Sequence, residues 1–155
     1  MVNHPELTAI SRTKLSAPTR YMLENDLLSG LILDYGCGKG FDVNYLREIG
    51  FKIEGYDPYY FPDYPKYKYN TIICNYVLNV IEKEKEDLVL GNIKELLETG
   101  GTAYITVRRD VHNEGYRKRG KMVTYQRNVI LDFEKVKENN NFCIYKFSKY
   151  GTNND

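Results

Sequence analysis

Residues 34–40 read Asp-Tyr-Gly-Cys-Gly-Lys-Gly, and they follow the apolar run Leu-Ile-Leu at residues 31–33. A short apolar run that stops at glycines is typical of a buried parallel strand. A helical pattern then runs over residues 41–49, and Gly50 suits the left-handed position after a helix. The stretch therefore predicts a glycine-rich turn between a strand and a helix. There the backbone can turn tightly and a ligand can lie against main-chain N–H groups.

The spacing of the glycines separates ligand classes. A dinucleotide-binding turn has the pattern G-x-G-x-x-G, whose third glycine would fall at Phe41, whereas here it falls at Gly40. A P-loop ends in Gly-Lys-Ser/Thr, but Lys39 is followed by a glycine. Neither phosphate-binding motif fits the sequence.

An acidic residue closes the next strand. Residues 51–57 alternate like a second strand and end at Asp57. An acid at this place can accept hydrogen bonds from both hydroxyls of a ribose. Taken alone, Asp57 is more typical of a turn or capping residue, and the glycines alone are compatible with a plain strand-to-helix turn. Together they predict a nucleoside-binding site.

The rest of the chain alternates helices and strands. The predicted helices cover residues 16–28, 41–49, 82–98 and a segment marked by Val129, Phe133 and Val136. The predicted strands are residues 31–35, 51–57, 71–75, 102–107 and 142–147, with residues 122–125 as a candidate sixth. Residues 58–69 hold three prolines and five tyrosines, which excludes a helix. This order predicts one α/β domain over residues 1–155: a mainly parallel sheet with helices on both faces and a loosely ordered segment at residues 1–15.

Composition excludes several classes of partner. Lys+Arg 22 against Asp+Glu 21 gives a net charge of +1, so attraction to nucleic acid would have to be local. No apolar run approaches the ~20 residues that span a bilayer, so no membrane partner is expected. Three cysteines without a C-x-x-C pair predict neither a disulfide framework nor a zinc site. With no signal-peptide pattern at the N-terminus, we expect a cytoplasmic protein without a bound metal.

The glycine loop and the two acids together resemble the class I S-adenosylmethionine-dependent methyltransferases. The hallmark of that family is an acid-x-G-x-G-x-G loop after the first strand and an acid that closes the second. Residues 69–81 also resemble the family's fourth strand and the turn after it, although Asn70 stands where an acid is frequent. The resemblance covers residues 16–110. It implies a Rossmann-like class I methyltransferase fold, reduced in size, with S-adenosylmethionine as cofactor. The cofactor-binding residues it implies are Asp34, Gly36, Cys37, Gly38, Gly40, Asp57, Pro58, Asn75 and Tyr76.

A narrower resemblance points to a bacterial family of methyltransferases associated with DNA phosphorothioation systems. The segments that carry it are residues 15–20, 34–38, 56–60, 75–81 and 124–126. It would make this chain a small, single-domain relative. The Asn/Asp-Pro-Pro-Tyr/Phe motif of amino-methylating enzymes and the Pro-Cys pair of cytosine-C5 enzymes are both absent from the sequence.

Catalytic residues are harder to predict, because methyl transfer is an in-line displacement that depends mainly on alignment. A general base helps only when the acceptor carries a proton of high pKa. The candidates are His112, Tyr59 and Asn75, with an exposed loop histidine as the alternative for His112.

The acceptor of the methyl group is not identified by the sequence. The basic residues that could attract a nucleic-acid acceptor are Arg117, Lys118, Arg119 and Lys121. A solvated loop is the alternative for this cluster. The leading function is therefore methyl transfer to an unidentified acceptor, nucleic acid included. The alternatives are a catalytically silent module of the same fold that acts through a partner, and another nucleoside-binding enzyme.

Overall fold

The computed structural model describes residues 2–151, which form a six-stranded sheet with helices on both faces and a separate hairpin. The strands are β1 Leu31–Tyr35, β2 Lys52–Tyr56, β3 Tyr69–Asn75, β4 Leu97–Arg108, β5 Gly115–Arg119, β6 Met122–Gln126, β7 Glu134–Glu138 and β8 Phe142–Ser148. The sheet order is β2-β1-β3-β4-β8-β7. The first four strands are parallel, whereas β8 and β7 are antiparallel to their neighbours. Strands β5 and β6 pair only with each other.

Three α-helices cover the sheet: α1 Ala17–Glu24, α2 Phe41–Glu48 and α3 Lys83–Leu96. Neighbouring side chains of a strand point to opposite faces. On β1, Ile32 therefore joins the core under α1 and α2, while Leu33 joins the core under α3. Both side chains are fully buried. These two layers confirm the predicted α/β architecture, a mainly parallel sheet with helices on both faces.

Parallel pairing determines where a site can form. Because β2, β1, β3 and β4 run in the same direction, their carboxyl ends meet at one edge of the sheet. The glycine loop follows β1, Asp57 follows β2 and residues 76–80 follow β3. Ligands of open α/β sheets bind at this edge, in the crevice between such loops.

The predicted helix around residues 129–136 is wrong. Val129 and Leu131 are buried while Ile130 is 84% exposed, which is a strand-like alternation instead of a helical one. Residues 134–138 form β7, which pairs with β8 at the edge of the sheet. The candidate sixth strand at residues 122–125 does exist as β6, but it belongs to the separate hairpin. Strand β4 also begins earlier than expected and runs through Gly100 and Gly101.

The N-terminal segment differs from the expected loose arrangement. It contains a short 3-10 helix at Pro5–Thr8. The Asn3 side chain donates a hydrogen bond to the Val80 carbonyl (2.8 Å), and the His4 N–H donates one to the Val123 carbonyl (2.8 Å). Its polar groups thus bond to the backbone of two other segments, a kind of contact that hydrophobic periodicity does not reveal. Within residues 2–151, no helix is long and apolar enough to cross a membrane.

Candidate functional site

A cleft of about 530 Å³ lies at the carboxyl ends of β1 to β4. Its walls come from the glycine loop, the Asp57 turn, the residues after β3 and the N-terminal segment. All the residues predicted to bind a cofactor line it: Asp34, Gly36, Cys37, Gly38, Gly40, Asp57, Pro58, Asn75 and Tyr76. The structure therefore brings the predicted set together in one place.

The glycine loop requires its glycines for two separate reasons. Gly36, Gly38 and Gly40 have φ angles of +85°, +56° and +87°, in the left-handed region that side chains disfavour. At Gly36 there is also no room, because an added Cβ would lie 2.3 Å from Cγ2 of Val77. The turn after β3 thus packs directly on the loop after β1.

Four N–H groups of this loop are bonded within the protein. Those of Gly36 and Cys37 donate to the Tyr56 carbonyl (2.7 and 2.9 Å). The Gly38 N–H donates to Oδ2 of Asp57 (3.0 Å), and the Gly40 N–H donates to the Cys37 carbonyl (3.0 Å). These four groups are not free for a ligand, contrary to the expectation from the sequence. Within residues 36–40, the Lys39 N–H alone has no hydrogen-bond partner among residues 2–151, so the loop offers few of the free donors with which a phosphate-binding turn holds its ligand.

Asp57 has a structural role as well as its place in the cleft. Besides the bond from Gly38, its Oδ1 accepts from the N–H groups of Tyr59 (2.9 Å) and Tyr60 (3.0 Å). Each carboxylate oxygen accepts about two hydrogen bonds, so Oδ2 keeps capacity for a ligand hydroxyl. The turn-forming and ribose-binding readings of Asp57 are therefore compatible.

Asp34 is a buried carboxyl group at the floor of the cleft. It is 3% exposed, and within residues 2–151 its side chain makes no hydrogen bond. Burial raises its pKa well above the usual value, and the nearby carboxylates of Asp42 and Asp57 raise it further. The guanidinium of Arg12 acts in the opposite direction. A cationic ligand beside Asp34 would stabilise its charged form.

A chain of hydrogen bonds that the sequence did not reveal crosses the site beside Asp34. Asn75 Nδ2 donates to Oγ1 of Thr19 (2.9 Å), which lies 3.0 Å from Oγ of Ser16. Ser16 Oγ in turn donates to Oδ2 of Asp42 (2.5 Å). Ser16 Oγ has one proton and gives it to Asp42, so Thr19 Oγ1 donates to Ser16 Oγ. The chain therefore runs in one direction and fixes the Asn75 amide. Its Oδ1 is buried without a partner in the described part of the chain.

Other wall residues were also missed by sequence reasoning, because they belong to no motif. They are Arg12 from the N-terminal segment, Arg108 at the end of β4 and Gln126 at the end of β6. Tyr76 was predicted, but its strained conformation was not: its φ is +64°, and its N–H donates to the Thr106 carbonyl (2.9 Å). No local pattern in the sequence indicates that these residues meet; only a comparison with a known fold could do so.

The catalytic candidates divide between the cleft and the surface. Asn75 and Tyr59 line the cleft, with Tyr59 64% exposed at its rim. His112 lies on an exposed loop and is not among the wall residues. The basic cluster Arg117, Lys118, Arg119 and Lys121 is exposed on the β5–β6 hairpin and also lies outside the wall. Among the described residues, no group of His, Cys, Asp and Glu could hold a metal ion, and the three cysteines are unpaired.

The fold and the cleft define a small α/β protein with a ligand site at the carboxyl edge of its sheet. A family model described as "Methyltransferase domain" matches residues 8–135, which is most of the chain. The protein belongs to this family, in agreement with the predicted enzyme class. A comparison with functionally curated proteins gave no significant match.

Solved structures share the fold at low identity. One is the 1,6-didemethyltoxoflavin N1-methyltransferase of Burkholderia thailandensis, with bound 1,6-didemethyltoxoflavin and S-adenosylhomocysteine. It is 15% identical, with a TM-score of 0.63 over 87% of this chain and 78% of that one. TehB from Haemophilus influenzae is 14% identical, with a TM-score of 0.61 over 90% and 64%. Magnesium protoporphyrin IX methyltransferase from Synechocystis PCC 6803, with bound S-adenosylmethionine, is 16% identical, with a TM-score of 0.52 over 86% and 76%.

These neighbours agree with the predicted cofactor, since one structure contains S-adenosylmethionine and another its product S-adenosylhomocysteine. The comparisons give no support to the narrower resemblance to methyltransferases of DNA phosphorothioation systems. They also give no support to a nucleic-acid acceptor.

Proposed function

We propose that this protein binds S-adenosylmethionine in the cleft and transfers its methyl group to a small-molecule acceptor. The observation that carries the proposal is the combination of four internally bonded loop N–H groups with three aspartate carboxyl groups on the same wall, Asp34, Asp42 and Asp57. Such a wall repels phosphates and attracts cations. S-adenosylmethionine has no phosphate and carries a positive sulfonium and a positive ammonium, so its charge fits the cleft better than that of a dinucleotide.

The described residues offer a partner for each part of the cofactor. Asp57 keeps capacity for one ribose hydroxyl at Oδ2, and Pro58 and Tyr59 flank that end of the cleft. Asp34 and Arg12 place opposite charges close together, which suits the ammonium and carboxylate of an amino-acid group. Asn75 and Tyr76 lie at the end of β3, next to this position.

The chemistry asks for alignment more than for proton transfer. S-adenosylmethionine supplies a methyl group that its sulfonium already activates. The protein's part is to hold the acceptor atom in line and to keep water out. The hydrogen-bond chain from Asp42 to Asn75 gives the end of β3 a fixed geometry. His112 lies outside the wall, so the cleft favours an acceptor whose nucleophile needs no histidine base.

The size of the cleft supports a small acceptor. Small-molecule sites typically measure ~300–1,000 Å³, and this one has about 530 Å³ for cofactor and acceptor together. The Burkholderia neighbour has both 1,6-didemethyltoxoflavin and S-adenosylhomocysteine bound.

The test is a labelling experiment in which the acceptor need not be known. The protein is incubated with S-adenosylmethionine carrying a deuterated methyl group and an extract separated into metabolites, nucleic acids and proteins. We expect the label in a small molecule, much less of it with Asp34→Asn, and an unchanged amount with Arg20→Gln, an exposed arginine paired with Glu24 outside the cleft. Label only in nucleic acid or protein, or no label above a protein-free control, would contradict the proposal.

A further inference from the structure

Charge is distributed unevenly along the cleft. The carboxylates of Asp34, Asp42 and Asp57 belong to β1, α2 and the turn after β2, whereas Arg108 stands at the end of β4. Strands lie ~4.8 Å apart, so the end of β4 is roughly 14 Å from the end of β2 in the order β2-β1-β3-β4. A cofactor bound by Asp57 and Asp34 lies at the ends of the neighbouring strands β2 and β1. The β4 end is then left for the acceptor.

The guanidinium of Arg108 has one occupied side and one free edge. Its Nη1 donates to both carboxylate oxygens of Asp110 (3.2 and 3.1 Å). Within residues 2–151, its Nε and Nη2 have no hydrogen-bond partner. Those two N–H groups are parallel, and their spacing matches the two oxygens of a carboxylate.

The next residue shows what a purely structural arginine looks like in this fold. Arg109 donates through Nε to Glu138, through Nη1 to the Val129 carbonyl and through Nη2 to the Tyr145 hydroxyl. It does not line the cleft. Arg108 does line the cleft, and its side chain is 42% exposed. The free guanidinium edge is thus particular to Arg108 and is not shared by the neighbouring Arg109.

Two contacts hold Arg108 in place before any ligand arrives. Its backbone N–H donates to Oδ1 of Asn79 (2.7 Å), a residue that is 1% exposed. Its guanidinium carbon lies 4.9 Å from the centroid of the Tyr76 ring, a cation–π distance. Tyr76 itself sits in the left-handed region, and strain of this kind clusters at ligand sites.

We propose that the methyl acceptor is a small molecule with a carboxylate group, and that the free Nε–Nη2 edge of Arg108 binds this carboxylate. The inference rests on the proposed function and names the class of its acceptor. Arg12, whose guanidinium has no hydrogen-bond partner within residues 2–151, adds a second positive charge to the wall. A carboxylate fits better than a phosphate dianion, because Glu6 and the three aspartates also face the cleft and repel each further negative charge.

The experiment compares acids with their neutral amides. The probes are 4-hydroxybenzoate and anthranilate, each against its carboxamide, added to protein saturated with S-adenosylhomocysteine. Binding is followed by NMR on the Nε–Hε signal of Arg108, which is assigned through its loss in Arg108→Gln. We expect the acids to shift this signal and to bind about tenfold or more tightly than the amides, as for a charge-assisted hydrogen bond.

Variants show whether the guanidinium edge is responsible. Arg108→Gln should abolish the preference for acids, and Arg108→Lys, which keeps the charge but lacks the fork, should lose most of it. Arg20→Gln should keep it. The proposal is overturned if no acid shifts the Arg108 signal at millimolar concentration, if acids and amides bind equally, or if Arg108→Gln keeps the preference. Calorimetry with S-adenosylhomocysteine on the same samples tests the proposed function. The acids can also be titrated into the protein without S-adenosylhomocysteine, so failure of the carboxylate site and failure of the cofactor site can be told apart.

Discussion

Replacing Asp57 by alanine should weaken both folding and cofactor binding, and the structure sets the size of each effect. A solvent-facing acid at the end of a strand would contribute little to the fold. Instead, the Asp57 carboxylate accepts hydrogen bonds from the N–H groups of Gly38, Tyr59 and Tyr60. Hydrogen bonds to a charged group contribute about 1.5–3 kcal/mol each when buried, and less in a half-exposed turn. We expect Asp57→Ala to lose about 2–4 kcal/mol of unfolding free energy, or roughly 4–16 °C in Tm for a chain of this size.

The companion variant Asp57→Asn separates the two roles. Its amide oxygen can still accept from Tyr59 and Tyr60, but its NH₂ group meets the N–H of Gly38. We expect a smaller loss of stability than with alanine, and a loss of S-adenosylhomocysteine affinity of about 10–100-fold in both variants. The control is Asp63→Ala, an exposed acid of the same loop that does not line the cleft.

The assays are urea unfolding for stability and titration calorimetry for S-adenosylhomocysteine. If Asp57→Ala is as stable as Asp63→Ala, the turn does not depend on the carboxylate as its hydrogen bonds indicate. If it also binds S-adenosylhomocysteine as tightly as the parent protein, the assignment of Asp57 to the ribose is wrong.

Three further outcomes follow from the same geometry. Because the pKa of Asp34 is raised, the folded protein keeps this proton to higher pH than the unfolded chain, so the free energy of unfolding should fall as pH rises from ~4 through the folded pKa. Asp34→Asn should remove this pH dependence in urea unfolding and should be more stable than the parent protein at neutral pH. An unchanged pH dependence in the variant would contradict the account. Gly36→Ala should lose about 2–4 kcal/mol of unfolding free energy, because its Cβ meets Val77 and its backbone is left-handed. Gly120→Ala, left-handed but with open space around it, should lose only about 1 kcal/mol. Equal losses would refute the packing argument. A small-molecule acceptor predicts that the exposed residues Arg117 and Arg119 bind no nucleic acid in fluorescence anisotropy; a log–log salt slope of about −0.7 to −0.9 per phosphate, reduced in the double alanine variant, would restore a nucleic-acid acceptor.

The parts of the fold that a local pattern determines could be predicted from the sequence. The apolar run at residues 31–33 and the glycines after it gave β1, the turn and α2 with correct bounds to within a residue or two. The prediction for residues 129–136 was wrong because Val129, Phe133 and Val136 satisfy a loose helical spacing, while residues 129–133 also alternate between inward-facing and exposed side chains. Pairing with strand β8, which is separated from β7 by only three residues, decides between the two, and apolar spacing alone does not reveal that pairing.

The same limit applies to the site. The spacing of the glycines and the position of Asp57 predicted which segments form the cleft, because both lie at the ends of adjacent parallel strands. The direction of the hydrogen bonds could not be predicted. Whether the loop N–H groups face a ligand or the Tyr56 carbonyl depends on the register between β1 and β2. Arg12 and Arg108 reach the cleft through tertiary packing alone, so no motif marks them.

The central claim is that the cleft selects a cationic nucleoside without phosphates. Titration calorimetry of the full chain with S-adenosylmethionine, S-adenosylhomocysteine and NAD in parallel tests it most directly. The account predicts that the first two ligands bind with one site per chain, that both lose affinity in Asp57→Asn, and that NAD gives no heat of binding at millimolar concentration. Binding of NAD as tight as that of S-adenosylmethionine, or no binding of either adenosyl ligand, would contradict it.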